Sequence, residues 1–306
     1  MESKFRKLKD KMRENFLGAD LMICILIAAL KSYRSDKCLR PFPPMFINRG
    51  EKDWQKLNSI CDTIPPLKEL VSNNDLPQET IDLLTWMYIE SGFPQLQLRN
   101  LEHIPVENRG GLRKLLPQYI FEVCYPESTE KAFQKRIGNN NTIFAYHGSA
   151  LDNFYSILRV GLQQHFSFKK EGLFGNGVYL SSEITVCTTY APFRETWKNS
   201  CLGSQQSIIA ICEVIDHIDK VKCKDTKHRQ RSRNEESYNE IPEKYYVVTD
   251  SEMLRVKYLL VYSRKKIIFS IKNVSIFLII SYLLILVLTG LFRGTLWTKL
   301  MKIFSL

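Results

Sequence analysis

Phe144-Ala145-Tyr146-His147-Gly148-Ser149 reads as an apolar strand that runs out into His-Gly-Ser and then gives way to a helix. Just beyond it, Asp152 stands where a helix cap is expected, Phe154, Ile157 and Leu158 recur at helical spacing, and Gly161 stops the helix. A strand therefore delivers His147 to its end, and a packed helix fixes the exit. One histidine after a strand is more often a satisfied structural residue than a catalytic one.

A second stretch, Leu173-Phe174-Gly175-Asn176-Gly177-Val178-Tyr179-Leu180-Ser181-Ser182, carries two glycines that let backbone approach a ligand closely. Tyr179, with Tyr190 at the end of the next expected helix, offers two aromatic faces for a flat ring. A hairpin turn with two core tyrosines is the plainer account of the same residues. The third stretch, Lys244-Tyr245-Tyr246-Val247-Val248, reads as a strand, and so does Val256 to Tyr262.

Together and in this order the three stretches resemble the catalytic signature of the diphtheria-toxin-like ADP-ribosyltransferases, the superfamily of the poly(ADP-ribose) polymerases. His147, Tyr179 and Tyr245 occupy its three signature positions, with Tyr245 where polymerising members carry glutamate. The resemblance extends from about Tyr119 to Tyr262, and with Leu39-Arg40-Pro41-Phe42-Pro43 and the apolar tail it is similar to the tail-anchored, mono-transferring branch of that superfamily over nearly the whole chain. It implies NAD as co-substrate, with His147 on a ribose hydroxyl, the Gly148 backbone on the carboxamide, Ser149 on the adenosine ribose, and Tyr179 and Tyr190 around the nicotinamide. Many members place a serine eight residues after the first of these tyrosines; here that position is Cys187, a weaker donor, which implies lower NAD affinity. A phenol at position 245 is a poor base at neutral pH, so the resemblance implies transfer of single ADP-ribose units to protein side chains, the enzyme's own included.

The totals agree with a mostly soluble enzyme. The chain has 306 residues, a formal charge of +11 and 44% hydrophobic residues, enough for one or two cores. Its cysteines, Cys24, Cys38, Cys61, Cys124, Cys187, Cys201, Cys212 and Cys223, form no C-x-x-C pair and no zinc-type spacing with histidine, so they read as reduced thiols and no metal is expected. No G-x-G-x-x-G follows a strand, which argues against a Rossmann route to NAD.

Five segments are expected. Residues 1–100 read as a helical module, since Asp53 to Cys61, Pro66 to Val71 and Pro77 to Glu90 carry helical patterns; the resemblance implies an all-helical module that gates the cofactor cleft, and a module that only stabilises its neighbour is the alternative. Within it, the ten apolar residues Leu21 to Leu30 are too short to span a bilayer, and no clean signal-peptide cleavage site follows, so they read as a buried helix. Residues 101–117, polar and punctuated by Gly and Pro, read as a linker. Residues 118–266 read as the catalytic domain, whose strands are separated by few helices; the fold class is therefore α+β, a helical module packed on antiparallel sheets.

The tail adds a membrane expectation. Val274 to Phe292 holds no charge, and nineteen residues at about 1.5 Å each make roughly 28 Å, near the thickness of a bilayer core. Arg264, Lys265, Lys266 and Lys272 precede it, and Arg293, Lys299 and Lys302 follow. The positive-inside tendency places the N-terminal side in the cytosol and residues 293–306 in the lumen. The resemblance implies the endoplasmic reticulum membrane, continuous with the nuclear envelope, and a role in its stress response through protein partners that include stress kinases. Lys220 to Arg233 is a dense basic run without interleaved aromatics, so specific nucleic-acid recognition is not expected. Two alternatives stay open: a catalytically silent NAD-binding scaffold, if Cys187 and Tyr245 are losses, and a basic adaptor at the membrane surface. Asn140-Asn141-Thr142 is a glycosylation sequon that a cytosolic domain would leave bare.

Overall fold

The computed structural model describes residues 2–72, 75–163, 174–224, 241–264, 279–290, 298–299 and 302–304. It divides into two units, Met1–Lys265 and Lys266–Leu306. In the second, residues 279–290 are helical and their apolar side chains are exposed. Residues 274–278 and 291–292 of the expected span, and the basic run after Lys224, lie outside the described residues. Among the described residues no helix is long and apolar enough to cross a membrane.

The first unit opens with helices α1 (Glu2–Glu14), α2 (Phe16–Leu30) and α3 (Ser35–Cys38), followed by a hairpin of β1 (Ile47–Asn48) and β2 (Glu51–Lys52). Helices α4 (Trp54–Thr63), α5 (Leu67–Ser72) and α6 (Gln78–Thr85) follow, the last continued by a π-helical turn at Trp86–Glu90. Asp53 caps α4 by accepting the Lys56 amide at 2.9 Å, satisfying one of the free N–H groups of the first turn. Helix α2 is buried on every side from Gly18 to Leu30, which explains its lack of an apolar stripe: it is the axis of the helical layer.

Nine strands then build one antiparallel sheet among the described residues. They are β3 (Gln95–Arg99), β4 (Tyr119–Cys124), β5 (Thr142–Gly148), β6 (Val178–Ser181), β7 (Arg194–Glu195), β8 (Gln205–Ile215), β9 (Val221–Lys222), β10 (Tyr245–Val248) and β11 (Leu254–Arg264). The order is β3-β4-β11-β8-β5-β6-β10-β9, with β7 pairing β8. Between the strands lie helices α7 (Val106–Lys114), α8 (Glu127–Ile137), α9 (Phe154–Val160) and α10 (Ile184–Thr188).

The sheet is covered on both faces. Along β8, Ile208, Ala210, Cys212 and Val214 join the core of the helical layer, while Ile209 and Ile211 join a second core with Ile104, Leu112, Ile184 and Cys187. That is the two-residue alternation of a strand buried on both sides. In β11 the alternation is interrupted: Val256 packs with Leu259 and Val261 on one face, Tyr258 with Leu260 and Tyr262 on the other. A register shift between Val256 and Tyr258 supplies the extra residue that changes the parity.

Two expectations about organisation need correction. The helical module is not all-helical, because Gln95–Arg99 leaves it to become the edge strand β3 beside β4. Residues 101–117 are not a plain linker either: α7 lies there, and its Leu112, with Ile104, is fully buried in the second core. Arg109 ties the segment down by donating to the carbonyls of Ile104 and Glu102. The expected cap is also different. Asp152 lies in a short 3-10 turn, Leu151–Asn153, and accepts the Ser32 hydroxyl from the helical layer at 2.5 Å instead of capping α9.

The helical layer is bolted to the sheet by a second buried carboxylate. Asp20 on α2 is fully buried and accepts from the Ser200 hydroxyl and, at 2.9 Å, from the Cys201 amide. Gln206 of β8 completes the cluster by donating to the Gly203 carbonyl at 3.0 Å.

Candidate active site

Strands β5, β6 and β10 lie side by side and supply the three signature residues. Strands β5 and β6 share one register pair, Tyr146↔Ser181, and the ladder between them ends there, just ahead of His147. Tyr146 anchors this end, its buried hydroxyl donating to the Asn108 carbonyl of α7 at 2.7 Å.

His147 is half-buried, and its Nδ1 lies 2.9 Å from the Tyr179 carbonyl oxygen. Burial holds its pKa below the ordinary histidine value, against an opposing pull from that carbonyl. The ring is therefore neutral at pH 7. Since a carbonyl can only accept, the proton sits on Nδ1 and Nε2 is the acceptor.

Tyr179 uses its hydroxyl within the fold. It donates to the Gly175 carbonyl at 2.7 Å and accepts the Phe174 amide at 2.9 Å, closing the turn ahead of β6. Gly175 has φ +88°, which suits glycine. The phenol is thus committed, and Tyr179 presents a ring rather than an acid or base. Register places Tyr179 opposite Val247 and Ser181 opposite Tyr245, so Tyr179 and Tyr245 share one face. Phe174 joins them, its ring centroid 6.3 Å from that of Tyr179 and 5.9 Å from that of Tyr245. Phe174 was not among the residues singled out from the sequence. Its adjacency to Gly175 was visible, but its place between two tyrosines depends on the turn.

Gly148 stands against α10. A Cβ there would come 2.2 Å from the Cys187 carbonyl oxygen, so no other residue fits without moving the helix. The Cys187 thiol is buried, and burial pushes its pKa up to about 12, with the Gly148 backbone N–H opposing the rise. It is a neutral S–H beside the strand end. Ser149 Oγ accepts from Asn153 Nδ2 at 2.9 Å. Tyr190 follows α10, with 61% of its surface exposed. Its ring is not brought onto Tyr179 or Phe174 among the described contacts.

The arrangement offers a bare imidazole acceptor, a backbone edge held at a glycine, a serine hydroxyl and aromatic faces. Such a donor and acceptor set suits a ligand with ribose hydroxyls and a flat carboxamide ring. Among the described residues no group of three or more His, Cys, Asp or Glu side chains is placed to hold a metal ion.

Comparison with known families gives two matches: the poly(ADP-ribose) polymerase catalytic domain over residues 107–217, and the ARTD15 N-terminal domain over residues 10–88. The chain is 37% identical over 276 residues to protein mono-ADP-ribosyltransferase PARP16 of Mus musculus, a match covering 84% of this chain and 83% of that protein. Against the Homo sapiens protein of the same name it is 38% identical over 270 residues, covering 82% of this chain and 80% of that protein. Protein mono-ADP-ribosyltransferase PARP8 of Homo sapiens is more distant, 23% identical over 204 residues and covered over 23% of its length.

Proposed function

The chain belongs to the poly(ADP-ribose) polymerase family and is an NAD-dependent mono-ADP-ribosyltransferase; we propose that it modifies protein side chains, its own included, from the cytosolic face of the endoplasmic reticulum. The single observation that carries the site assignment is the His147–Tyr179 bond, which fixes an acceptor nitrogen at the end of the β5–β6 ladder.

NAD supplies a ribose whose bond to nicotinamide breaks as an acceptor nucleophile attacks, so charge develops at the ribose carbon. His147 Nε2 accepts a ribose hydroxyl and holds the sugar in register for that attack. The Gly148 backbone grips the carboxamide beside the Cys187 thiol, and Ser149 contacts the adenosine ribose. Tyr179 stacks on the nicotinamide ring, and Tyr190 closes over its other side from its exposed position. Tyr245 lies beside Phe174 and puts a phenol where polymerising members carry a carboxylate, which supports single-unit transfer. The acceptor's proton leaves to its own surroundings or to water.

Membrane anchorage through residues 274–292 is supported by their uncharged composition and by the basic residues on the N-terminal side. A role in the endoplasmic-reticulum stress response, through modified partners such as stress kinases, follows from that location and from the resemblance to the tail-anchored branch.

Mass spectrometry of the protein after incubation with NAD, beside His147→Ala and Tyr179→Ala, tests the chemistry. Single ADP-ribose additions at discrete sites, absent from both variants, are expected. Ladders of linked units would sink the assignment of Tyr245, and NAD binding without any adduct would favour a silent scaffold. For location, fluorescence of a reporter fused to residues 266–306 should mark the endoplasmic reticulum, and Asn140 of the full chain should carry no glycan.

A further inference from the structure

The loop after β5 is tied to the helical layer by four polar side chains. Ser32 and Cys38, which follow the buried helix α2, face Asp152 and Asn153. Ser32 donates to Asp152 Oδ2 at 2.5 Å and also accepts the Arg34 amide at 3.2 Å, which fixes its rotamer. Cys38 Sγ is 3.4 Å from Asn153 Oδ1 and 3.7 Å from both Asp152 Oδ2 and Ser32 Oγ; the Ser32 proton already occupies Asp152 Oδ2, so the thiol proton goes to the nearest acceptor, the asparagine oxygen. Both Cys38 and Asp152 are buried. Burial raises the Cys38 pKa, keeping it a protonated donor through neutral pH.

These contacts decide which way the Asn153 amide points. Its oxygen receives the thiol, so its NH2 group faces the other way, onto Ser149 Oγ at 2.9 Å. A serine oxygen that accepts from one side keeps its own O–H to donate on another. On the reading of Ser149 as the contact to the adenosine ribose, we propose that Asn153 is a positioning residue for NAD: held by Cys38 of the helical layer, it aims the Ser149 hydroxyl at the ribose as a donor. The helical layer, over a hundred residues away in sequence, thereby sets the grip of the transferase cleft on its co-substrate.

The test is steady-state transfer by the full chain, with KM for NAD and kcat measured separately, on NAD and on analogues lacking the 2′- or the 3′-hydroxyl of the adenosine ribose. Asn153→Asp replaces the donor with a second acceptor of the same shape and reverses the Ser149 hydroxyl. It should raise KM about tenfold, the worth of one well-placed hydrogen bond, with kcat within about twofold. Ser149→Ala should do the same, and neither variant should lose further on the deoxy analogue that the wild type binds less well. Cys38→Val should raise KM about threefold, and Cys38→Ser, which retains a donor, should restore it.

If Ser149→Ala raises KM while Asn153→Asp and Cys38→Val do not, the positioning role is overturned and the ribose contact stands. If Ser149→Ala leaves KM unchanged in an active enzyme, the ribose contact itself is wrong. A KM effect of Asn153→Asp that persists in the Ser149→Ala background would also overturn the proposal, since Asn153 would then act by another route. Calorimetric binding of a non-hydrolysable NAD analogue keeps the comparison readable where turnover is slow.

Discussion

Nδ1 of His147 and the backbone carbonyl of Tyr179 are 2.9 Å apart, and because a carbonyl oxygen can only accept, the imidazole keeps its proton on Nδ1 and turns Nε2 outward as an acceptor. One backbone contact between neighbouring strands thus sets the tautomer of the residue proposed to hold the substrate sugar.

The pH profile is a direct consequence. Burial depresses the His147 pKa, so the neutral form persists as pH falls past the ordinary histidine value of about 6.5, and protonation comes only as pH drops through the lowered one. Protonation removes the Nε2 lone pair. The plot of kcat/KM for NAD against pH should be flat from about 6.5 upward, with its histidine limb below that value. An acid limb centred above about 7 would show a different group in control.

Cys187→Ser should tighten the grip on nicotinamide. The thiol, held protonated with a pKa of about 12, is a weak donor, and a hydroxyl in the same place is stronger. Inhibition by free nicotinamide should strengthen severalfold, corresponding to about 0.5–1.5 kcal/mol. The wild-type thiol should also resist alkylation at pH 8 in the folded protein, being both buried and un-ionised. Rapid labelling of Cys187 would contradict the packing of α10 on the strand end.

Gly148 and Gly110 should respond oppositely to alanine. At Gly148 the added carbon would strike the Cys187 backbone, whereas at Gly110 in the interior of α7 it would meet nothing within 4 Å. Gly148→Ala should abolish transfer and cost about 1–3 kcal/mol of stability, as overpacking does. Gly110→Ala should leave transfer intact and add about 0.5–1 kcal/mol, since alanine is the better helix former. Denaturant unfolding of both variants gives the comparison.

Asp20→Ala should be among the most damaging changes far from the cleft. It removes the carboxylate, itself fully buried, that accepts both the Ser200 hydroxyl and the Cys201 amide and so ties α2 to the segment ahead of β8. A loss of about 2–4 kcal/mol is expected from urea unfolding. A loss below about 1 kcal/mol would mean that the cluster does not hold α2 to the sheet.

The three stretches around His147, Tyr179 and Tyr245 were legible as strands in the residues themselves. His-Gly-Ser after an apolar run, a paired-glycine turn before Tyr179, and Tyr245 opening a later strand are local patterns, and they emerged on three adjacent strands. The ten-residue apolar run from Leu21 was legible as a buried helix for the same reason, since length and composition alone separate it from a membrane span. The 101–117 segment was not. Gly110 and Gly111 look like punctuation, and Leu112 and Ile104 become a buried face only because the sheet offers a second core to cover.

Local pattern carried the periods of the Leu21 helix and of the strands that hold His147, Tyr179 and Tyr245. Those arise from steric preferences within a few residues. Only the tertiary structure decided the partners. The extra residue in β11 that places Val256 and Tyr258 on opposite faces belongs to pairing with β8. Phe174 between Tyr179 and Tyr245, Asp152 bound to Ser32 instead of a helix end, and Asn153 poised between Cys38 and Ser149 are likewise long-range choices. A side chain able to cap a helix can equally hold a distant hydroxyl. Which of the two it does is settled by register and packing, which no local pattern encodes.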